Sequence, residues 1–183
     1  MAQTLRVNQL EKGDYIKLEN KFFKVLEITH THLGRGGANL EIKLQGIDGG
    51  TIRRNFKPDE EIEYIEIEKK PLKFLYAKKE EYFFKDEENK IFSLQEFPQS
   101  KYLKKDLEVT GYFYDDKLIT IELPIKVVYE VKEAPPGVKG NTAQGGSKVV
   151  ICENGLEVEV PLFINVGDKI IVNTQTNQYV SRA

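Results

Sequence analysis

Apolar and polar residues alternate one for one along most of this 183-residue chain, the period at which successive side chains reach opposite faces of a strand. Helical spacing of apolar positions is not sustained over any long window, so the pattern predicts a mostly β protein. Asp14-Tyr15-Ile16-Lys17-Leu18 and Phe22 to Thr29 are two strand candidates divided by the turn-forming Glu19-Asn20-Lys21, and together they read as a hairpin. The second strand runs on through His30-Thr31-His32 to Leu33-Gly34-Arg35-Gly36-Gly37, after which Ala38 to Leu44 alternates again. A second hairpin is therefore expected, with Arg35 at its tip. Asp48-Gly49-Gly50 turns the chain into Thr51 to Phe56, and Pro58 with the acidic run behind it is expected to close the segment. Four or five short strands in about 60 residues predict a small barrel.

Past Lys69-Lys70-Pro71, strand-like stretches recur at Phe74-Leu75-Tyr76, Tyr82-Phe83-Phe84, Ile91 to Leu94 and Glu108 to Tyr114, with a turn at Asp115-Asp116. Lys117 to Val131 is strand-rich with a break at Pro124, and Ala134-Pro135-Pro136-Gly137 is the strongest corner or linker signal. Val149 to Cys152, the Asn154-Gly155 hairpin signal, Leu156 to Pro161, Asp168 to Val172 and Gln178 to Val180 complete a third β segment. Leu118 to Pro124 and Leu156 to Pro161 echo each other, but chance similarity of hairpins explains that as well as duplication does. This punctuation predicts an all-β chain of three small barrels, 1–65, 66–129 and 130–183. Each would be about 25 to 30 Å across, so three in a line would reach on the order of 80 Å.

Composition narrows the class. With 31% charged residues and no apolar run near the roughly 20 residues a bilayer-spanning helix needs, no membrane partner is expected. MAQTLRVNQL lacks the charged-then-apolar layout of a secretory leader, and one Cys cannot build a disulfide framework, so a cytoplasmic location is expected. The net charge of -2 hides local segregation. Residues 1–58 carry ten basic and six acidic side chains, and Asp59, Glu60, Glu61 and Glu63 follow at once. The basic excess lies at the N-terminal end, and the later segments are nearly balanced.

Among short motifs, Gly34-Arg35-Gly36-Gly37 is the most informative. Three glycines remove Cβ bulk around one cationic fork, which lets backbone approach a crowded surface. A strand from Phe22 to His32 spans about 35 Å when extended and would hold such a tip clear of a barrel. Spacing alone does not separate this from an ordinary hairpin tip, and no Walker-type Gly-Lys-Ser/Thr follows. His30 and His32 share a strand face, yet no third His or Cys ligand accompanies them, so metal binding is not expected. Cys152 sits in an apolar strand and reads as inert core. The acidic runs Asp59-Glu60-Glu61, Asp86-Glu87-Glu88 and Asp115-Asp116 read as solvated surface. Gly140 to Lys148 is too long and polar for a tight turn alone and is expected either to present backbone N–H groups and Lys148 to a phosphate backbone or to be a mobile loop. A three-barrel binder of single-stranded nucleic acid would also explain the strands and the ten Phe and nine Tyr, but it predicts affinity for free oligonucleotides, against which the net charge argues. A carboxylate-pair enzyme is a third reading and would need two acids facing each other across a cleft.

The order of motifs resembles the bacterial translation elongation factor P family over essentially the whole chain. Pro136-Gly137-Val138-Lys139-Gly140-Asn141-Thr142-Ala143, Gly145-Gly146-Ser147-Lys148, Val160-Pro161-Leu162-Phe163 and Tyr179-Val180-Ser181-Arg182 look like signature blocks of that family, and Leu33 to Ala38 is similar to its tip loop. Thr142-Ala143 and Gly145-Gly146 favour the main family over its paralogue.

The resemblance implies a KOW/SH3-like N-terminal barrel and two OB-type barrels in an elongated, L-shaped, tRNA-like arrangement. It implies a factor that binds both ribosomal subunits between the P and E sites, positions the P-site peptidyl-tRNA and relieves stalling at consecutive prolines. Such a factor is a monomer, is no enzyme, and needs no cofactor, metal or small-molecule substrate. Residue by residue, Gly34, Arg35, Gly36 and Gly37 take the tip beside the acceptor end of the P-site tRNA. Tyr179 and Arg182 take positions associated with the anticodon stem on the small subunit. Gly140, Asn141, Thr142, Gly145, Gly146 and Lys148 take the loop facing the E site. Many relatives have Pro before the first tip glycine and a modified Lys at the tip. Leu33 and Arg35 stand here instead, which excludes lysine-directed modification. Arg35 is a candidate for the arginine rhamnosylation of relatives whose tip reads Gly-Arg-Asn, but Gly36 follows it and the expectation is an unmodified arginine. Asn141 and Asn173-Thr174-Gln175 also depart from the commoner Asp and Asp-Thr-Arg.

Overall fold

The computed structural model describes residues 3–32, 38–47, 49–135 and 146–183. Its first sheet contains β1 (Gln3–Arg6), β2 (Tyr15–Leu18), β3 (Lys21–His32), β4 (Ala38–Gly46), β5 (Thr51–Phe56) and β6 (Glu61–Ile65), in the order β1-β6-β2-β3-β4-β5. The β2–β3 hairpin closes at Glu19 and Asn20, both left-handed at φ 49° and 62°, the pairing that a two-residue turn between twisted strands requires. Alternation then does the rest. Leu40, Ile42 and Leu44 of β4 are buried with Val7, Ile16, Phe23 and Val25, each fully buried aliphatic side chain contributing about 1.5–3 kcal/mol.

Two strands of this sheet differ from the sequence expectation. The acidic run does not simply close the segment. It leads into β6, which pairs with both β1 and β2. Ile62 is buried in the core with Tyr64 packed against it, Ile65 is buried on the opposite face beside Tyr15, and Glu63 meets Lys17 across the pair at 3.4 Å. Acidic side chains on the outer face hid an apolar inner face, and short β1 carried no pattern of its own.

The second sheet holds β7 (Glu68–Lys78), β8 (Glu81–Lys85), β9 (Ile91–Gln95), β10 (Glu108–Tyr114) and β11 (Lys117–Glu122), in the order β11-β10-β7-β8-β9. β7 runs straight through Pro71, although Lys69-Lys70-Pro71 reads in the sequence as punctuation. The Asp115-Asp116 turn has the same doubly left-handed backbone as the first hairpin, at φ 47° and 59°.

The third sheet contains β12 (Lys126–Glu133), β13 (Ser147–Cys152), β14 (Glu157–Pro161), β15 (Lys169–Asn173) and β16 (Gln178–Arg182), in the order β14-β13-β12-β15-β16. Its outer strands β14 and β16 approach one another, curling the sheet towards a barrel. Val127, Tyr129, Val131, Val150, Val158, Ile170 and Val172 fill the inside. The break at Pro124 is real. β11 ends at Glu122 and β12 begins at Lys126. The buried Thr174 fastens that break, its hydroxyl donating to the Pro124 carbonyl at 2.8 Å and its N–H to the Ile125 carbonyl at 2.9 Å.

The chain forms two compact units, Met1–Lys70 with Gly111–Ile121, and Pro71–Thr110 with Glu122–Ala183. In the first, Tyr112 packs on Tyr15 and Tyr114 on Phe22, with ring centroids 6.1 and 5.5 Å apart. In the second, the Tyr129 hydroxyl donates to the Tyr102 carbonyl at 2.5 Å. Asn154 Nδ2 there donates to the carbonyls of Lys101 and Leu103, each at 3.0 Å.

Candidate functional site

The β3–β4 ladder stays in antiparallel register out to the pair His32↔Ala38. The tip that it carries, Leu33, Gly34, Arg35, Gly36 and Gly37, lies outside the described residues. A bulge between Val25 and Glu27 interrupts the ladder near the barrel, where an extra residue bends a strand and increases its twist. The basic excess of this segment is partly neutralised in place. Arg53 pairs with the half-buried Glu41 at 2.6 Å, and Arg54 with the exposed Glu19 of the β2–β3 turn at 3.0 Å. Beside the hairpin base lies a shallow groove of about 580 Å³, where Lys12, His30 and Lys43 alternate with Glu11 and Glu27. That mixed lining selects no ligand charge.

The C-terminal candidates fall partly together. Gly146 precedes β13 and Lys148 lies on it, whereas Gly140, Asn141, Thr142 and Gly145 are outside the described residues. Arg182 is exposed at the end of β16, and its Nη2 donates to Asp168 Oδ1 at 2.7 Å. The other carboxylate oxygen of Asp168 accepts the Asn165 N–H, also at 2.7 Å. These two bonds, the Asn165 N–H first and the guanidinium second, hold the Asp168 carboxyl below the usual carboxylate range, and Lys148 adds a weaker Coulomb pull. Lys148 and Arg182, drawn from different strands, thus share one carboxylate field. Tyr179 is placed differently. It is half-buried and packs on the barrel core.

Two further residues belong to this cluster. The Arg182 guanidinium carbon lies 5.9 Å from the centroid of the Phe163 ring, within cation–π range, and Phe163 is 58% exposed. Neither Phe163 nor Asp168 stands out as a site residue in the sequence. Phe163 reads there as the last residue of the signature block Val160-Pro161-Leu162-Phe163, with no role assigned to it, and Asp168 as the first residue of a strand. The available signal was Asn165-Val166-Gly167-Asp168, a β-turn closed by the Asp168 N–H on the Asn165 carbonyl at 3.1 Å, with Gly167 at φ 87° in the third position that favours glycine.

The remaining chemistry is structural. Cys152 is buried, and burial, with Glu153 adding to it, pushes its thiol up to about 11. Among the described residues no group of three or more His, Cys, Asp or Glu could hold a metal ion, and no helix is long and apolar enough to cross a membrane.

Comparison with known proteins agrees with the strand pattern at both ends of the chain. The family described as "Elongation factor P (EF-P) KOW-like domain" matches residues 6–62, and "Elongation factor P, C-terminal" matches residues 127–182. An elongation factor P from Dictyoglomus turgidum is 40% identical over 184 residues, covering 98% of this chain and all of the relative. One from Prochlorococcus marinus strain MIT 9515 is 38% identical over 180 residues, covering 96% of this chain and 97% of the relative. Among solved structures, a translation initiation factor 5A from Methanococcus jannaschii superposes with a TM-score of 0.52 at 15% identity, covering 66% of this chain and 94% of its own. That last likeness concerns the fold alone.

Proposed function

The chain belongs to the elongation factor P family of translation factors, and on that premise we propose that it binds the ribosome between the P and E sites and positions the peptidyl-tRNA there, relieving stalling at consecutive prolines. What supports this reading most directly is the long β3–β4 hairpin leading to a tip of three glycines and one arginine, within a chain whose family match covers both ends. Proline is a constrained nucleophile whose ring fixes φ. Holding the peptidyl-tRNA end in a reactive geometry lowers the barrier by orientation alone, and the ribosome supplies the reaction centre. The protein in this reading is a positioning factor with no catalytic residue of its own.

Arg35 takes the part of the contact at the acceptor end, flanked by Gly34, Gly36 and Gly37, and works unmodified. Tyr179 and Arg182 serve the anticodon-stem end, and Gly140, Asn141, Thr142, Gly145, Gly146 and Lys148 the E-site-facing loop. Three domains with limits at 65/66 and 129/130 carry these contacts in a tRNA-like monomer that acts in the cytoplasm.

The test is synthesis of a reporter with a three-proline run in a reconstituted bacterial system lacking this factor, with recombinant protein added or omitted. Relief of the stall by unmodified protein is expected, together with loss of most of that relief in Arg35→Ala at unchanged melting temperature. Ribosome binding without relief would overturn an unmodified Arg35, an intact mass of the native protein raised by one deoxyhexose would do the same, and absence of ribosome binding would overturn the reading as a whole.

A further inference from the structure

We propose that Phe163, with Arg182 held over it by Asp168, is a stacking platform for an unpaired base of the RNA to which this factor binds. The inference rests on the ribosome-bound reading above and adds to it a contact residue, Phe163, and a positioning residue, Asp168. Phe163 is 58% exposed and contributes little to the core, yet its loop is fastened at several points. Asn165 Nδ2 donates to the Phe163 carbonyl at 3.0 Å. The Asn165 N–H donates to Asp168, and Asp168 holds Arg182. Ile164, beside Phe163 in the chain, is wholly buried. The Gly167 N–H donates to the Val131 carbonyl and the Val131 N–H to the Asp168 carbonyl, each at 2.9 Å, which fastens the loop to β12. The ring is thus presented by a fixed scaffold, so little ordering remains to oppose binding.

The chemistry around the ring selects the partner. Arg182 uses Nη2 on Asp168, and a guanidinium fork carries further N–H groups that can meet acceptors on a base edge or phosphate. Lys148, whose Nζ donates to the Pro135 carbonyl at 3.2 Å, exerts a weaker pull on the same carboxylate, so two cations act on one anion. An apolar protein side chain placed here would strip water from these charges without pairing them. An unstacked base offers a π face to Phe163, acceptors to the guanidinium and a phosphate to the ammonium.

The experiment measures affinity of the full-length protein for vacant and tRNA-loaded ribosomes. Phe163→Leu keeps apolar bulk and removes the π face, so binding should weaken about tenfold with the melting temperature unchanged, and Phe163→Trp should restore it. Asp168→Asn should weaken binding as well, yet Asp168→Asn/Arg182→Gln should bind no worse than Arg182→Gln alone, because Asp168 acts through Arg182. A photo-reactive p-benzoylphenylalanine at position 163 should cross-link to RNA. Wild-type affinity in Phe163→Leu, additive losses in the double variant, or a cross-link to ribosomal protein would each overturn the platform. Should the wild-type protein itself fail to bind ribosomes, the premise falls and this inference with it, whereas binding with an indifferent Phe163→Leu removes this inference alone.

Discussion

Asn154 illustrates how much one side chain can fasten. In the turn between β13 and β14, its Nδ2 satisfies two carbonyls while its Oδ1 accepts the Leu156 N–H at 3.2 Å. Asn154→Ala should cost about 0.5–1.5 kcal/mol, since the part-buried Leu103 carbonyl loses its donor while the exposed Lys101 carbonyl can turn to water; urea denaturation of the two proteins measures it. Asp168 carries a pH signature. Its folded pKa is depressed, so the stability it contributes is present above the ordinary carboxylate pKa of about 3.9 and is lost as pH falls through the folded value. Asp168→Asn should therefore flatten the acid limb of the melting-temperature profile, and an unaltered limb would count against the ion pair. Cys152 predicts silence. With its thiol raised to about 11 by burial, the native protein should resist iodoacetamide at neutral pH and react on addition of denaturant.

At the scale of elements, the legible strands were those whose turn chemistry and alternation agreed. Glu19-Asn20, Asp115-Asp116 and Asn154-Gly155 each join consecutive antiparallel strands, with left-handed backbone at the first two pairs and at Gly155. Asn20→Val should cost about 1–2 kcal/mol, because a β-branched residue is forced into the left-handed region. Asn20→Gly should be nearly neutral, and equilibrium unfolding of the two variants separates strain from loss of the side chain. β1 and β6 were illegible for a different reason. Each buries its inner face only because the other and β2 are brought alongside it by residues distant in sequence. β7 passed through Pro71 because its pairing with β8 begins only at Lys73, so that ladder asks no N–H of the proline. In the candidate site, Arg182 was legible by resemblance, but Asp168 and Phe163 acquire meaning only from contacts across a turn and between strands.

At the scale of the whole molecule, the first compact unit borrows Gly111–Ile121 from the middle of the chain. A fragment of residues 1–65 lacks Tyr112 and Tyr114, the rings that cover Tyr15 and Phe22. It should therefore unfold at lower urea concentration than the same residues do in the full chain; an equal midpoint, read from the same tyrosine-proximal probe, would show that the borrowed strands add nothing. Residue order alone determined the all-β class, most hairpins, the family and the identity of the tip arginine, because period-2 alternation, turn residues and contiguous motifs are local properties of a chain. Tertiary structure decided which distant strands complete each unit and that Tyr179 turns towards the core while Arg182 faces outward. It also set Asp168 and Phe163 beside that arginine. Those outcomes depend on pairing between segments far apart in sequence, and the energy of such a pairing is written in neither segment by itself.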